Sequence, residues 1–438
     1  MGKYGRTRRH RAYKKRQGTS STPPEENHLS NQCSEYSLRK WMVTKASRRQ
    51  LKDTLRLVPF CFHDTGRGLK TKRPIPPGTA IVSVPQCLLI TLTCVFNSDL
   101  GPHLKVWTQR FTSHQLLTLF LIFELSKGSN SEWHPFIKSL PVEYTMPQYF
   151  SHEEICLLVP HISQQAETCA HRTHQAHKEV FAFCQTNWPD AANFASWEKF
   201  RWAWCAVGSR CVYLDTEACV LDWVNMEQPD ENYMALCPYL DLLNHTSTAK
   251  VQAGFNKQNN CYEIVTLDTY HAHDQVFINY GPHDNTTLFL VYGFTLPHNI
   301  HNAVCFSVED LQELRGPFNI TMWDHKIDIL RRNKLCRELT CTMEGVSWNL
   351  KTSLTILAMD WSQLKEVHKV LGGEAVSTDL EEKVRLIAHQ LINGVLVKRK
   401  QFLADKFSTG EASPHQQLAH SLLLDEINIL SAALQDVT

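Results

Sequence analysis

The residues best suited to chemistry fall into a few short stretches. Residues 238–245, PYLDLLNH, end an apolar run in Asn244-His245, and a Thr/Ser-rich turn follows. Residues 278–294, INYGPHDNTTLFLVYGF, carry two Tyr-Gly pairs, Tyr280-Gly281 and Tyr292-Gly293, on either side of a polar loop and a short apolar segment. A tyrosine beside a glycine at a strand end can bring a phenol to a loop where polar tips converge on a ligand. Arg210 offers a planar fork that can hold a carboxylate by two parallel bonds. Gly66-Arg67-Gly68 lacks the third glycine and the following helix of a dinucleotide fingerprint, so that reading fails. Glycine there permits positive φ and close approach of backbone. Each feature has a plainer alternative: a tight turn at the glycines, a structural Arg210 with an acidic neighbour, a strand-terminating Asn-His, a buried Tyr280 with a satisfied hydroxyl, and Tyr292-Gly293-Phe294 as core aromatics. The sequence holds 22 histidines. His171, His174 and His177 drift around a helix, so the outer two do not face one point and no metal site is expected. His271-Ala-His273 is no better, and no H-E-x-x-H is present.

Small strands and many helices must position these residues. Residues 251–255 and 261–267 read as a hairpin around 257–260, and 276–279 as a third strand, so that both signatures sit at the ends of small antiparallel strands. Residues 80–84 form a strand that stops at Pro85. The character is helical from about 94 to 232. A helix over 113–127 starts at a Ser cap and is apolar nearly all round, so it is buried on most faces and too short to span a bilayer. Trp197, Phe200, Trp204, Val207 and Cys211 make one helical stripe, with Arg210 beside it. Beyond Leu296-Pro297 the stretches 326–335, 353–371, 379–402 and 414–434 are helical, with Gly372-Gly373 as a stop.

A chain of 438 residues with 43% hydrophobic composition is expected to form two or three domains. Its 15 cysteines show no C-x-x-C pair and the N-terminus shows no secretory signal, which points to reduced thiols in an intracellular protein. Residues 1–16 carry eight Lys and Arg and no acid, so a total of +1 leaves −7 for the remainder. Such an arm reads as a solvated tail, a nuclear-import signal or a weak nucleic-acid contact. Residues 17–32 read as a linker, and 36–45 as a short helix bringing Leu38 and Trp41 into the body.

The Gly-x-Gly turn followed by a strand, Arg210, residues 241–245 and residues 280–294, in this order, resemble the SET-domain protein methyltransferases. More narrowly the chain is similar to the Rubisco large-subunit methyltransferase type, over about residue 41 to the C-terminus. The zinc-binding cysteine clusters of chromatin-type members are missing from this sequence, which favours the split subclass. The resemblance implies an α+β fold in which a SET domain of small β-sheets with a pseudo-knot is split by a helical insertion and followed by an all-α substrate-binding domain. The corresponding division is a basic tail and linker at 1–35, SET parts at 36–93 and 233–296, the insertion at 94–232 and the helical domain at 297–438. It further implies S-adenosyl-L-methionine as cofactor and transfer of its methyl group to a lysine side chain of a protein, histone or non-histone. Tyr280 is then the catalytic residue. The cofactor-binding residues are Gly66, Arg67, Gly68, Thr79, Ala80, Ile81, Arg210, Asp241, Leu242, Leu243, Asn244, His245, Tyr280, Tyr292, Gly293 and Phe294, with Arg210 on the cofactor carboxylate and Phe294 on adenine. No membrane partner is implied, nucleus and cytoplasm are the expected compartments, and the oligomeric state is open. Histidine methylation, or a non-catalytic SET module that binds a partner, are the alternatives.

Overall fold

The computed structural model describes residues 25–214, 233–407 and 412–436. The basic arm 1–16 lies outside them. The first helix, α1, runs over Glu25–Lys45, whereas a linker through 32 and a helix only from 36 were expected. Two prolines precede it in the sequence, Glu25 and Glu26 occupy its first turn, and no Gly or Pro interrupts it. Without a breaker, a polar, linker-like composition still permits helix. Leu38 and Met42 on α1 are fully buried, and Trp41 meets Trp133 edge-on at 5.6 Å.

Three small sheets surround the two signatures. β1 (Leu57–Phe62), β2 (Gly66–Thr71), β9 (Gln275–Ile278) and β6 (Asn244–His245) form one sheet in the order β1-β2-β9-β6. β3 (Thr79–Pro85), β8 (Cys261–Thr266) and β7 (Val251–Asn256) form the second, and β4 (Cys211–Leu214) pairs with β5 (Tyr233–Leu236). The hairpin β7-β8 closes where turn residues predict it, with Asn256 opposite Cys261. β6 and β9, however, pair in parallel, Asn244 opposite Phe277 and His245 opposite Ile278, not antiparallel as expected. The hairpin between them belongs to the other sheet and works as a crossover, returning the chain to β9 in the direction it left β6. Just ahead of β6, Tyr239 has φ 74°, a region side-chain-bearing residues rarely adopt. Its fully buried hydroxyl donates to Leu57 O (2.9 Å) and accepts from Arg39 Nη1 (2.8 Å), which anchors the turn.

The insert contributes α2 (Ser113–Ser126), α3 (Pro160–Asn187) and α4 (Trp197–Arg210). The cap of α2 is Thr112, not Ser113: its hydroxyl accepts from the Gln115 N–H while the Gln115 side chain returns to the Thr112 N–H, a capping box. The spacing places His174 against the Trp197 ring, stacked at 3.8 Å, and His177 Nε2 against Ala195 O at 2.9 Å. After α5 (Asn285–Tyr292) come α6 (Trp323–Arg332), α7 (Trp348–Ala358), α8 (Thr378–Lys406) and α9 (Pro414–Asp436). This terminal region is not purely helical. β10 (Val304–Cys305), β11 (Thr340–Thr342) and β12 (Gly345–Val346) form a fourth small sheet, antiparallel, with strands too short to leave a readable period.

Apolar side chains gather in two cores. One joins the small sheets to the insert, and the other fills the C-terminal helices. α3 belongs to both, with Ile162 and Ala166 in the C-terminal core and Ala176, Val180 and Phe183 in the first. Its 28 residues span about 42 Å. Among the described residues no helix is long and apolar enough to cross a membrane.

Candidate functional site

Glycine is required at Gly66 because φ is +66°, and at Gly68 for a different reason. A Cβ on Gly68 would lie 2.8 Å from Asn244 Nδ2 and from Gln275 Nε2. The close approach expected to face a cofactor is therefore made to side chains of β6 and β9. Asn244 Nδ2 donates to Arg67 O (2.9 Å) and Thr65 O (3.3 Å), so this amide ties the glycine turn to β6 instead of reaching outward with its nitrogen. Arg67 extends from the turn to the insert, donating to Ser139 O at 2.8 Å, with Glu35 of α1 at 3.7 Å.

Arg210, the last residue of α4, meets a carboxylate, but one of the protein. Its Nη1 donates to Asp241 O (2.8 Å) and Asp241 Oδ2 (3.0 Å). The Asp241 side chain is fully buried and that of Arg210 is 19% exposed. Burial opposes the Arg210 charge, and the Asp241 carboxylate together with the Tyr144 and Tyr280 phenols more than offsets this, holding its pKa above the usual value. Two atoms of the pair stay buried without a hydrogen-bond partner, Arg210 Nε and Asp241 Oδ1.

Tyr280 follows β9 and is locked to the first signature at both ends. Its N–H donates to His245 Nδ1 (3.1 Å) and its hydroxyl donates to Leu243 O (2.6 Å). Its ring stacks on His245 at 5.1 Å and lies 4.9 Å from Tyr292. Burial pushes the phenol pKa up and the His245 imidazole down to about 4, so at neutral pH both are uncharged. Of the polar loop and apolar segment expected after Tyr280, residues 281–284 are a loop and the rest is one helix, α5, capped at both ends. The Asp284 carboxylate accepts from the Thr287 N–H, and Gly293, with φ +76°, ends the helix in the left-handed conformation. That stop turns the chain so that Phe294 comes within 6.3 Å of the His245 ring.

Two cavities meet at these residues. The first, of about 230 Å³, is lined by Arg67, Tyr144, Arg210, Asp241, Asn244 and Phe294 among others. The second, of about 170 Å³, has an apolar wall that includes Val212, Leu240, Leu243, Val251, Ile264 and Ile278. Ser209, Arg210, Asp241, Tyr280 and Tyr292 line both. Tyr280 thus stands at the junction of two chambers, a mainly polar one and one whose lining mixes polar groups with this apolar wall.

Among the sequence-predicted residues, Arg67, Arg210, Asp241, Leu242, Asn244, Tyr280, Tyr292 and Phe294 line the first cavity and Leu243 lines the second. His245 packs behind Tyr280, while Gly66, Gly68 and Gly293 shape the turns. Thr79, Ala80 and Ile81 line neither cavity. They sit on β3, which joins β8 in the other sheet; the Thr79 hydroxyl donates to Pro76 O and Ile81 is buried in the core. The intervening loop carries the chain out of the sheet that holds the glycine turn, so nearness in sequence does not become nearness in space. Tyr144, Thr145 and Ser209 were missed. Tyr144 and Thr145 lie in an aperiodic stretch of the insert that carries no motif, and only folding brings them opposite α5.

The SET domain family model matches residues 66–281. SET domain-containing protein 4 of Mus musculus is 34% identical over 442 aligned positions, covering 98% of this chain and 97% of that protein. The chain belongs to the SET-domain family. The Homo sapiens SET domain-containing protein 4 is likewise 34% identical, with the same coverage. This SET-domain chain is also 27% identical to the actin-histidine N-methyltransferase of Mus musculus, across 72% of the chain and 51% of that protein. Its fold is shared by the SET domain of LSMT bound to lysine and AdoHcy, with a TM-score of 0.63 at 18% identity over 92% of this chain and 91% of that one.

Proposed function

We propose that this chain is an S-adenosylmethionine-dependent protein methyltransferase that modifies a lysine side chain. The observation that carries the reading is the junction at Tyr280, where a polar chamber with fixed charges meets a second chamber with one apolar wall. The residues present fit the donor. The first cavity offers an unpartnered donor on Arg210 Nε and an unpartnered acceptor on Asp241 Oδ1, suited to the carboxylate and ammonium of an amino-acid end, and Phe294 offers a ring face to adenine. Bound there, S-adenosylmethionine supplies an electrophilic methyl group on a sulfonium.

The chain's own residues do the rest. A free lysine, with pKa ~10.4, exposes its nucleophilic lone pair in only about one molecule in a thousand at neutral pH. The apolar wall of the second cavity disfavours the ammonium and excludes water, which favours the neutral amine. Tyr280 remains a phenol at neutral pH, and its one proton is committed to Leu243 O. It therefore presents lone pairs to the junction. Those can accept an N–H of the entering amine and orient it for in-line attack, without acting as a general acid. Because a phenol is no base, the amine's proton leaves toward solvent.

A relative that is an actin-histidine N-methyltransferase supports histidine as a second acceptor. The basic arm supports entry to the nucleus as well as residence in the cytoplasm, and histones among the protein substrates. Incubation of the full chain with labelled S-adenosylmethionine and cell extract, followed by mass spectrometry of labelled products, tests the proposal. Label on a lysine nitrogen is expected. Label on histidine replaces the first acceptor by the second, and none above a Tyr280→Phe control leaves a binding module.

A further inference from the structure

Tyr144 has no part in any sequence signature, yet its side chain is among the most constrained in the first cavity. It is 8% exposed and lines the cavity; the Arg210 guanidinium faces its hydroxyl, and no acceptor takes the hydroxyl's own proton. A buried hydroxyl proton with no acceptor is costly, so its retention calls for a ligand. The segment that bears it is held from three sides. Arg67 Nη1 donates to Ser139 O (2.8 Å), Trp202 Nε1 donates to Pro141 O (2.8 Å), and the Thr145 hydroxyl donates to Gly293 O (2.5 Å). The phenol is thus pre-set by the glycine turn, by α4 and by the end of α5.

The charges around it select what it would bind. Tyr144 lies within electrostatic reach of both the Arg67 and the Arg210 guanidiniums. Burial keeps the phenol protonated, so it is a donor. Three donor groups therefore surround one corner of the cavity, while Asp241 Oδ1 is the free acceptor nearby. Glu35 and Asp241 balance the two arginines, so the corner is close to neutral overall and suits a zwitterion better than a free anion. We propose that the Tyr144 hydroxyl donates to the carboxylate of the amino-acid end of the methyl donor, making Tyr144 a cofactor-positioning residue supplied by the helical insert. This rests on the function proposed above.

Titration calorimetry of the full chain separates the two. Wild type and Tyr144→Phe are each titrated with S-adenosylhomocysteine and with 5′-methylthioadenosine, which keeps the nucleoside and thioether but lacks the amino-acid end. The substitution is expected to weaken S-adenosylhomocysteine about three- to tenfold and to leave methylthioadenosine within twofold. The ligand-free melting temperature is expected not to fall, because the hydroxyl's proton has no acceptor to lose. Unchanged S-adenosylhomocysteine affinity, an equal loss for both ligands, or a lower ligand-free melting temperature overturns the assignment alone. A wild-type chain that binds neither ligand overturns the methyl-donor reading and this inference with it.

Discussion

Arg210 and Asp241 form a buried pair that, under the proposed function, serves structure and ligand together. Since Asp241 is fully buried and Arg210 is its ion-pair partner, Arg210→Ala would strand a carboxylate in the interior. The variant is expected to lose about 3 kcal/mol of stability in urea unfolding as well as donor affinity, so its binding loss has to be compared at matched folded fraction. Two neutral histidines set a pH limit. His245, and His114 stacked on Trp204 at 3.7 Å, both have their pKa lowered from 6.5 to about 4 by burial. The unfolded chain takes up protons at these positions as pH falls below 6.5, and the folded chain does so only near 4. Stability is thus full above about pH 6.5 and falls toward pH 4, by on the order of 3 kcal/mol per histidine. Urea midpoints at pH 7.5 and 4.5 measure the fall, and His114→Gln is expected to reduce it. At this scale Tyr280, Arg210 and Asn244 were legible because type and spacing coincide in short signatures. Tyr144 was not, because nothing local distinguishes it from any core phenol.

Among the elements, the glycine turn and β6 depend on each other through one amide. Gly68→Ala would push its Cβ into the space of the Asn244 and Gln275 amides and displace the two bonds from Asn244 to Thr65 O and Arg67 O. Both contacts are ends of flexible side chains, so the cost is moderate, about 1–2 kcal/mol in urea unfolding. The displaced Asn244 borders the first cavity, and donor affinity measured by calorimetry is expected to fall with it. The hairpin β7-β8 and helices α2 and α4 could be read from turn residues and apolar spacing. The parallel partnership of β6 and β9 could not. A two-residue strand has no period of its own, and its direction is fixed by how far the intervening chain travels. The start of α1 escaped for the opposite reason: polar residues without a breaker are compatible with either linker or helix, and packing of Leu38 and Met42 decides.

For the whole molecule, the insert and the C-terminal helices are joined by buried charge as well as apolar contact. Glu426 of α9 meets Arg399 of α8 at 2.5 Å and His161 of α3 at 3.1 Å. One residue earlier, Asp425 accepts from Asn285 and Asn302 beside the start of α5. Glu426→Ala is expected to leave Arg399 uncompensated, cost about 3 kcal/mol, and speed limited proteolysis of the C-terminal helices. The sequence suggested a boundary near Leu296-Pro297, but the apolar cores do not respect it. α3 places Ile162 and Ala166 in one and Val180 and Phe183 in the other, and Phe289 of α5 lies in the C-terminal core despite preceding that boundary. A fragment stopped at Leu296 would keep this girder while stripping the cladding from one end, turning Ile162, Ala166 and Phe289 into a bare adhesive strip. Neither half is then a free-standing part, and whatever loosens the tail will be felt along this girder as far as the core beneath the small sheets.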